Sequence, residues 1–178
     1  EDPAGVTKQM RLELSPSGTE VRIEHRMSIA RPRTAAAWGL TIMRPGGTVI
    51  IPNEPHEPYG PDNLLPVRSM ALWSYSDLTD PRWQIGRGEI RLSVVESLAE
   101  PQKLGVMNYQ GWAAYEVAGL RFTKSVEVHP GDYPDHGCNF EFYTAGGFVE
   151  VETLSPLKQL QAGEEILHRE TWSLEMLA

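Results

Sequence analysis

What limits this chain first is how often its segments are broken. Sixteen glycines and 14 prolines are scattered through 178 residues, about one in six. Helix interiors tolerate neither residue well, so few windows of helical length survive. The stretches between breaks are short and alternate apolar with polar residues, which is the period of a half-buried strand. Met10-Arg11-Leu12-Glu13-Leu14 alternates, Ser15-Pro16-Ser17-Gly18 turns, and Val21 to Met27 alternates again. Residues 8–29 therefore predict a β-hairpin. Trp38 to Met43 predicts a strand ended by Pro45-Gly46-Gly47, and Thr48 to Ile51 one stopped by Pro52. Further strands are expected at Ile90–Val95, Lys103–Asn108, Gly111–Val117, Arg121–Val128, Asn139–Thr144, Phe148–Leu154 and Ile166–Leu174. This spacing, with turn chemistry between, predicts an all-β fold, an antiparallel β-sandwich, spanning 1-178 as a single domain. Residues 52–68, holding five of the prolines, and residues 74–89 are expected to be long connections.

Charge narrows the partners. Sixteen Lys and Arg against 24 Asp and Glu leave a net charge of −8. Neither nucleic acid nor an anionic membrane surface is expected, because both reward clustered cations. No apolar run approaches the roughly 18 residues of a membrane span. Cys138 is alone, so no intrachain disulfide forms and a thiolate zinc site is not expected. His25, His56, His129, His136 and His168 make no pair at metal-ligand spacing. No nucleophile elbow and no phosphate-binding glycine loop is present, so no metal or cofactor is called for. The chain begins at Glu1 with no signal-like segment, so a processed, cut or omitted N-terminus is expected. Localisation stays open.

One stretch concentrates candidate chemistry. Two alternating segments flank Gly146-Gly147, a two-residue hairpin signal. If those glycines form the loop, Glu141 faces Glu152 and Tyr143 faces Glu150. Opposed residues, and residues two apart, share a face. Glu141, Tyr143, Glu150 and Glu152 would then project from one surface. Like charges opposed on a sheet are destabilising. Such a face is either open to solvent or holds a cation, a proton or a ligand; a three-residue loop would scatter the carboxylates to both faces. Lys124 sits on the apolar parity of its strand and wants a carboxylate partner, with Glu152 or Glu141 expected to serve. His56 in the proline-rich loop and His136 beside Asp135 are placed better for function than His25 or His168. Trp73, Tyr75 and Trp83, with Asp77, Asp80 and Arg82 between them, suit a sugar ring, whose C–H faces stack and whose hydroxyls need polar partners. The alternative is that Trp73 and Trp83 are core anchors.

Several strings resemble a known family. They are Trp38-Gly39-Leu40-Thr41-Ile42-Met43-x-Pro45-Gly46-Gly47, Asn63-Leu64-Leu65-Pro66 and Leu72-Trp73-x-Tyr75-x-Asp77-Leu78-x-Asp80-Pro81-Arg82-Trp83. Pro101-Gln102-Lys103-x-Gly105, Gly111-Trp112-Ala113-Ala114-Tyr115, Tyr133-Pro134-Asp135-x-Gly137-Cys138-Asn139 and Glu150-x-Glu152-Thr153-Leu154-x-Pro156 belong with them. Together they resemble the bacterial DUF4380 proteins, whose fold is similar to galactose mutarotase (aldose 1-epimerase). The resemblance implies a mutarotase-like supersandwich, complete or partial. The chain looks like the C-terminal two-thirds of a family member, lacking the early strands with their sugar-binding Arg and His. Glu152-Thr153-Leu154-Ser155-Pro156 is similar to the motif of the epimerase base, with Leu154 where that motif has Gln.

The resemblance implies a carbohydrate-binding sandwich taking a sugar or oligosaccharide. Epimerase-type acid–base chemistry would use Glu152 as base and His136 or His56 as acid, with Lys124, Glu141 and Arg82 positioning hydroxyls. The competing expectation is a non-catalytic structural or interaction sandwich whose exposed sheet edges self-associate, for instance as a homodimer.

Overall fold

The computed structural model describes residues 4–177; Glu1, where the question of processing arises, lies outside them. Fifteen strands are defined among the described residues: β1 Val6–Leu14, β2 Val21–Ile29, β3 Arg33–Ala35, β4 Trp38–Met43, β5 Thr48–Pro52, β6 Met70–Leu72, β7 Trp83–Ile85, β8 Glu89–Ser93, β9 Gln102–Val106, β10 Trp112–Val117, β11 Leu120–Val126, β12 Phe140–Thr144, β13 Val149–Leu154, β14 Lys158–Leu160 and β15 Glu165–Met176. They form an eight-stranded sheet in the order β1-β2-β15-β11-β10-β5-β8-β7 and a five-stranded sheet in the order β4-β13-β12-β9-β6. A small β14-β3 pair flanks them. The pairings are antiparallel, as in β1 with β2 and β12 with β13.

The two large sheets meet through side chains of one parity. Val49 and Ile51, Ile90 and Leu92, and Ala113 and Tyr115 line the first; Leu104 and Val106, Phe140 and Phe142, and Val149 and Val151 line the second. Strands β12 and β13 lie inside their sheet, paired on both flanks, and so carry buried residues on both faces.

Each strand expected from alternation is present, within a few residues at its ends. Strands β3, β6, β7 and β14 were not expected: three residues are too few to show a period. Strand β7 falls inside the 74–89 connection, which is therefore not wholly loop.

A polar bridge crosses the interior. Lys124, fully buried on β11, donates to Glu170 Oε1 of β15 at 2.9 Å. It also reaches across to the second sheet, donating to Gly39 O at 2.7 Å, Val151 O at 3.0 Å and Thr41 Oγ1 at 3.1 Å. Glu170 accepts from Thr153 Oγ1 of β13 and from Trp172 Nε1, the latter at 2.9 Å. Gly39 allows this approach, because a Cβ there would lie 2.2 Å from Glu170 Oε1. Lys124 is thus partnered by Glu170, a correction to the expected Glu152 or Glu141. Those two carboxylates project from the opposite face of the second sheet, as their alternation with core-facing Phe142 and Val151 requires.

His168 stacks on His25 at 6.0 Å and lies 2.9 Å from Thr153 Oγ1. Burial pushes its pKa down to about 4, although Glu170 beside it pulls the other way. Burial would raise the Glu170 carboxyl, but His25, Lys124 and Thr153 outweigh it and hold it down at about 2.

Removing one partner of a buried ion pair costs about 3–5 kcal/mol. Lys124→Met should lower the urea-unfolding free energy by that much, and adding Glu170→Leu should recover most of it. The folded His168 pKa lies below the ordinary 6.5, so the unfolded chain takes up that proton first. Stability should fall as pH drops from about 6.5 towards 4, and His168→Gln should flatten that limb of the profile.

Candidate functional site

Strands β12 and β13 pair with Glu141 opposite Glu152 and Tyr143 opposite Glu150. This is the register expected from the Gly146-Gly147 hairpin. The resulting face is not open solvent. Glu141 and Glu152 are 1% and 0% exposed. Glu141 lines a depression on the outer side of the five-stranded sheet, away from the first, and Glu152 lies buried beside it on the same face.

The cation answering them is Lys103 on β9. Its Nζ lies 2.6 Å from Glu141 Oε2 and 3.3 Å from Glu152 Oε1. Strand β9 pairs with β12 so that Gly105 opposes Glu141 and Lys103 opposes Tyr143, which puts Lys103 on the carboxylate face. The ammonium also stands 4.6 Å from the Trp73 ring centroid and 5.9 Å from that of Trp38. Trp38 Nε1 donates to Glu152 Oε2 at 2.8 Å while the residue remains 58% exposed. Gly105 makes room for the cover: a Cβ there would meet Cys138 Sγ at 2.6 Å and Trp73 Cη2 at 3.2 Å.

The depression encloses about 390 Å³ and is lined by Trp38, Trp73, Lys103, Asp135, Glu141 and Leu154, among others. Asp135 reaches it from the turn Pro134–Gly137, where Asp135 (φ 50°) and His136 (φ 63°) both adopt left-handed backbone. Non-glycine residues occupy that region at a cost, and such strain clusters at functional sites.

One ammonium among three carboxyl groups leaves the floor short of positive charge. Burial pushes the Glu141 pKa up to about 7; Lys103 opposes this, while Asp135 and Glu152 add to the rise. Burial would lower Lys103, yet Glu141 and Glu152 outweigh it and keep the ammonium charged. Glu150, nearer solvent, is raised by burial and by Glu152. Glu141 Oε1 is buried with no hydrogen-bond partner among the described residues. Chemically the floor offers a carboxyl that gains or loses a proton near neutrality, hydrogen-bond acceptors and a fixed cation under aromatic cover.

The sequence candidates divide. Glu141, Glu152 and Trp73 come together here, and Tyr143 and Glu150 continue the same face. Tyr143 packs edge-on against Tyr75, centroids 6.5 Å apart. Lys124 belongs to the inter-sheet bridge. His136 lines a different depression, with Ser69, Met107, Tyr109 and Tyr133. His56 is exposed on the connection between β5 and β6 and is not among the lining residues of the Glu141 depression. Arg82 is buried against Asp80, with Nη2 2.8 Å from Oδ2, and it donates to Leu98 O and Glu100 O. Trp83 is in the core, its indole donating to Gln102 Oε1 at 3.0 Å. Both brace the segment leading into β9. Lys103, Trp38 and Asp135 were not expected; the parity of Lys103 with Gly105 was visible, but its facing strand was not.

No family model matches the chain, and no curated protein matches it in sequence. Solved structures do share its fold. An Escherichia coli protein provisionally named aldose 1-epimerase superposes with a TM-score of 0.58 at 12% identity, covering 97% of this chain and 61% of that one. A galactose mutarotase-like protein from Lactobacillus casei gives a TM-score of 0.52 at 12% identity, covering 96% of this chain and 63% of that one. The chain spans about three-fifths of the length of either protein. Its fold is thus a galactose mutarotase-like antiparallel β-sandwich.

The electrostatics of the floor predict an assignable titration. The side-chain carboxyl carbon of Glu141 should titrate by NMR with a midpoint near 7. Glu152→Gln should lower that midpoint, and Lys103→Met should raise it.

Proposed function

We propose that the chain acts as one β-sandwich unit of the DUF4380, mutarotase-like kind and binds a sugar or oligosaccharide in the depression over Glu141 and Glu152. The observation that carries this is the buried Glu141–Lys103–Glu152 triplet lying beneath two tryptophans, one of them largely exposed. A sugar ring presents an apolar C–H face and a girdle of hydroxyls. Trp38 supplies a stacking surface for the first, and Glu141, Asp135 and the Lys103 ammonium, which line the depression, supply acceptors and donors for the second. The enclosed volume lies within the roughly 300–1,000 Å³ of small-molecule sites. Glu150 and Tyr143 extend the same polar face for further hydroxyls.

A second reading is residual aldose epimerase chemistry, favoured by the Glu141 carboxyl near 7 beside Glu152. Glu152 would serve as base. Ring opening also needs an acid on the other side of the ring. Glu141 lies on the same face of the sheet as Glu152, and none of Glu152, His136 and His56 lines the depression. Binding without substantial turnover is therefore the better-supported function.

Titration of the protein with aldoses and short oligosaccharides, followed by NMR, tests the binding. Saturable shifts at the Trp38 and Trp73 indoles are expected, with affinity weakened about tenfold in Trp38→Ala. Indoles undisturbed by every sugar would refute it. Polarimetry on the same aldoses should show no acceleration of mutarotation; an acceleration abolished by Glu152→Gln would establish the second reading instead.

A further inference from the structure

Among the described residues that line the depression, Lys103, Asp135 and Glu141 carry the charge, and Glu152 lies buried beside them. Lys103 directs its ammonium at Glu141 Oε2 and Glu152 Oε1, at 2.6 Å and 3.3 Å. Glu141 Oε1 is left buried and without a partner among the described residues. An acceptor buried without a donor is unfavourable, and a ligand donor that reaches it recovers that cost. Burial raises the Glu141 carboxyl to about 7, with Asp135 and Glu152 adding to the rise against the pull of Lys103. Acids crowded in this way keep a proton among them, and a cation that enters can take that proton's place.

A sugar hydroxyl can donate to Glu141 Oε1, but it brings one proton and no charge. An ammonium brings three donors and a positive charge. Hydrogen bonds between charged partners are about twice as strong as neutral ones. Trp38 and Trp73 border the same space, and an indole face attracts a cation as well as an apolar C–H surface. We infer that the depression selects a sugar bearing a free ammonium group, an aminohexose, with the ammonium seated between Glu141 Oε1 and the Asp135 carboxylate; this rests on the sugar-binding reading and names its ligand class. Lys103 keeps Oε2, so the two ammonium groups occupy different oxygens of one carboxylate. Binding exchanges one cation for another: the ligand ammonium enters, and the proton on Glu141 leaves to solvent. The other ionisable groups facing Glu141 are Lys103 from β9, Glu152 from β13 and Asp135 from the turn, with Cys138 and Tyr75 close by. Burial raises the Cys138 thiol to about 12 and raises Tyr75, so both stay neutral and neither supplies the proton. N-acetylation removes the ligand's charge, and a uronic acid adds a carboxylate to a site already crowded with them.

Calorimetric titration at a pH of about 6.5, where Glu141 is mostly protonated, tests this with glucosamine, galactosamine, their parent hexoses, their N-acetyl forms and glucuronic acid. At least one aminohexose should bind about tenfold more tightly than its parent. The N-acetyl forms should show no such gain, and glucuronate should bind more weakly than glucose. Repeated in buffers of different ionisation enthalpy, the titration should show proton release with the amine and none with the parent. Asp135→Asn keeps the turn, since Asn tolerates left-handed backbone, and Glu141→Gln keeps the side chain's size. Each should draw the ratio of amine to parent affinity towards one, whatever it does to absolute affinity, and Glu141→Gln should abolish the proton release. Parent hexoses that bind as tightly as the aminohexoses would overturn the inference and leave the sugar site standing. So would amine binding without proton release, or a preference for the amine that survives both substitutions. If none of these sugars binds, the sugar-binding reading and the inference fall together.

Discussion

The buried ammonium of Lys124 is the constraint around which the two sheets are arranged. An uncompensated charge in an interior is far costlier than a paired one, so its partners must be held in place. They are Glu170 on the neighbouring strand of the same sheet, and Gly39, Thr41 and Val151 on the facing one. These contacts hold β4 and β13 at a defined height over β11 and β15. The consequence lies on the other side of those strands. Val151 accepts from Lys124, and the next residue, Glu152, points outward to meet Trp38 and Lys103. The inner polar bridge therefore helps position the floor of the outer depression through a single strand.

That depression repeats the problem with a different balance. Inside the sandwich one cation meets one carboxylate, and Glu170 is held firmly ionised. On the outer face one cation serves Glu141 and Glu152 with Asp135 close by, and the shortfall emerges as a carboxyl that titrates near neutrality. Glu141, directly opposed to Glu152 on the adjacent strand, thus has different neighbours from Glu170 and different protonation behaviour. Partial cover by Trp38 and Trp73 sustains this, since full solvation would erase the shift and full burial would bar a ligand.

The hairpin between β12 and β13 was legible because it is local: a glycine pair and strict alternation set which residues oppose, and Glu141 and Glu152 followed. Lys103 was not legible as their cation. Its strand lies 38 positions before Glu141, and alternation says which face a residue takes without saying which strand lies beside it. Lys124 shows the same limit from the other side. Its parity marked it as inward and in need of a carboxylate, but choosing Glu170 over Glu152 required knowing that β15 is its neighbour.

What this sequence determined by itself was its class of structure: frequent breaks exclude long helices, period-two alternation demands sheet, and the loop glycines fix the local register. Only the tertiary structure decided which strands became neighbours, and with them the split of buried charge into an inner bridge and an outer floor. The physical reason is range. Turn chemistry and side-chain alternation act over a few residues, whereas burial and charge pairing act through space, between residues whose separation along the chain carries no pattern to read.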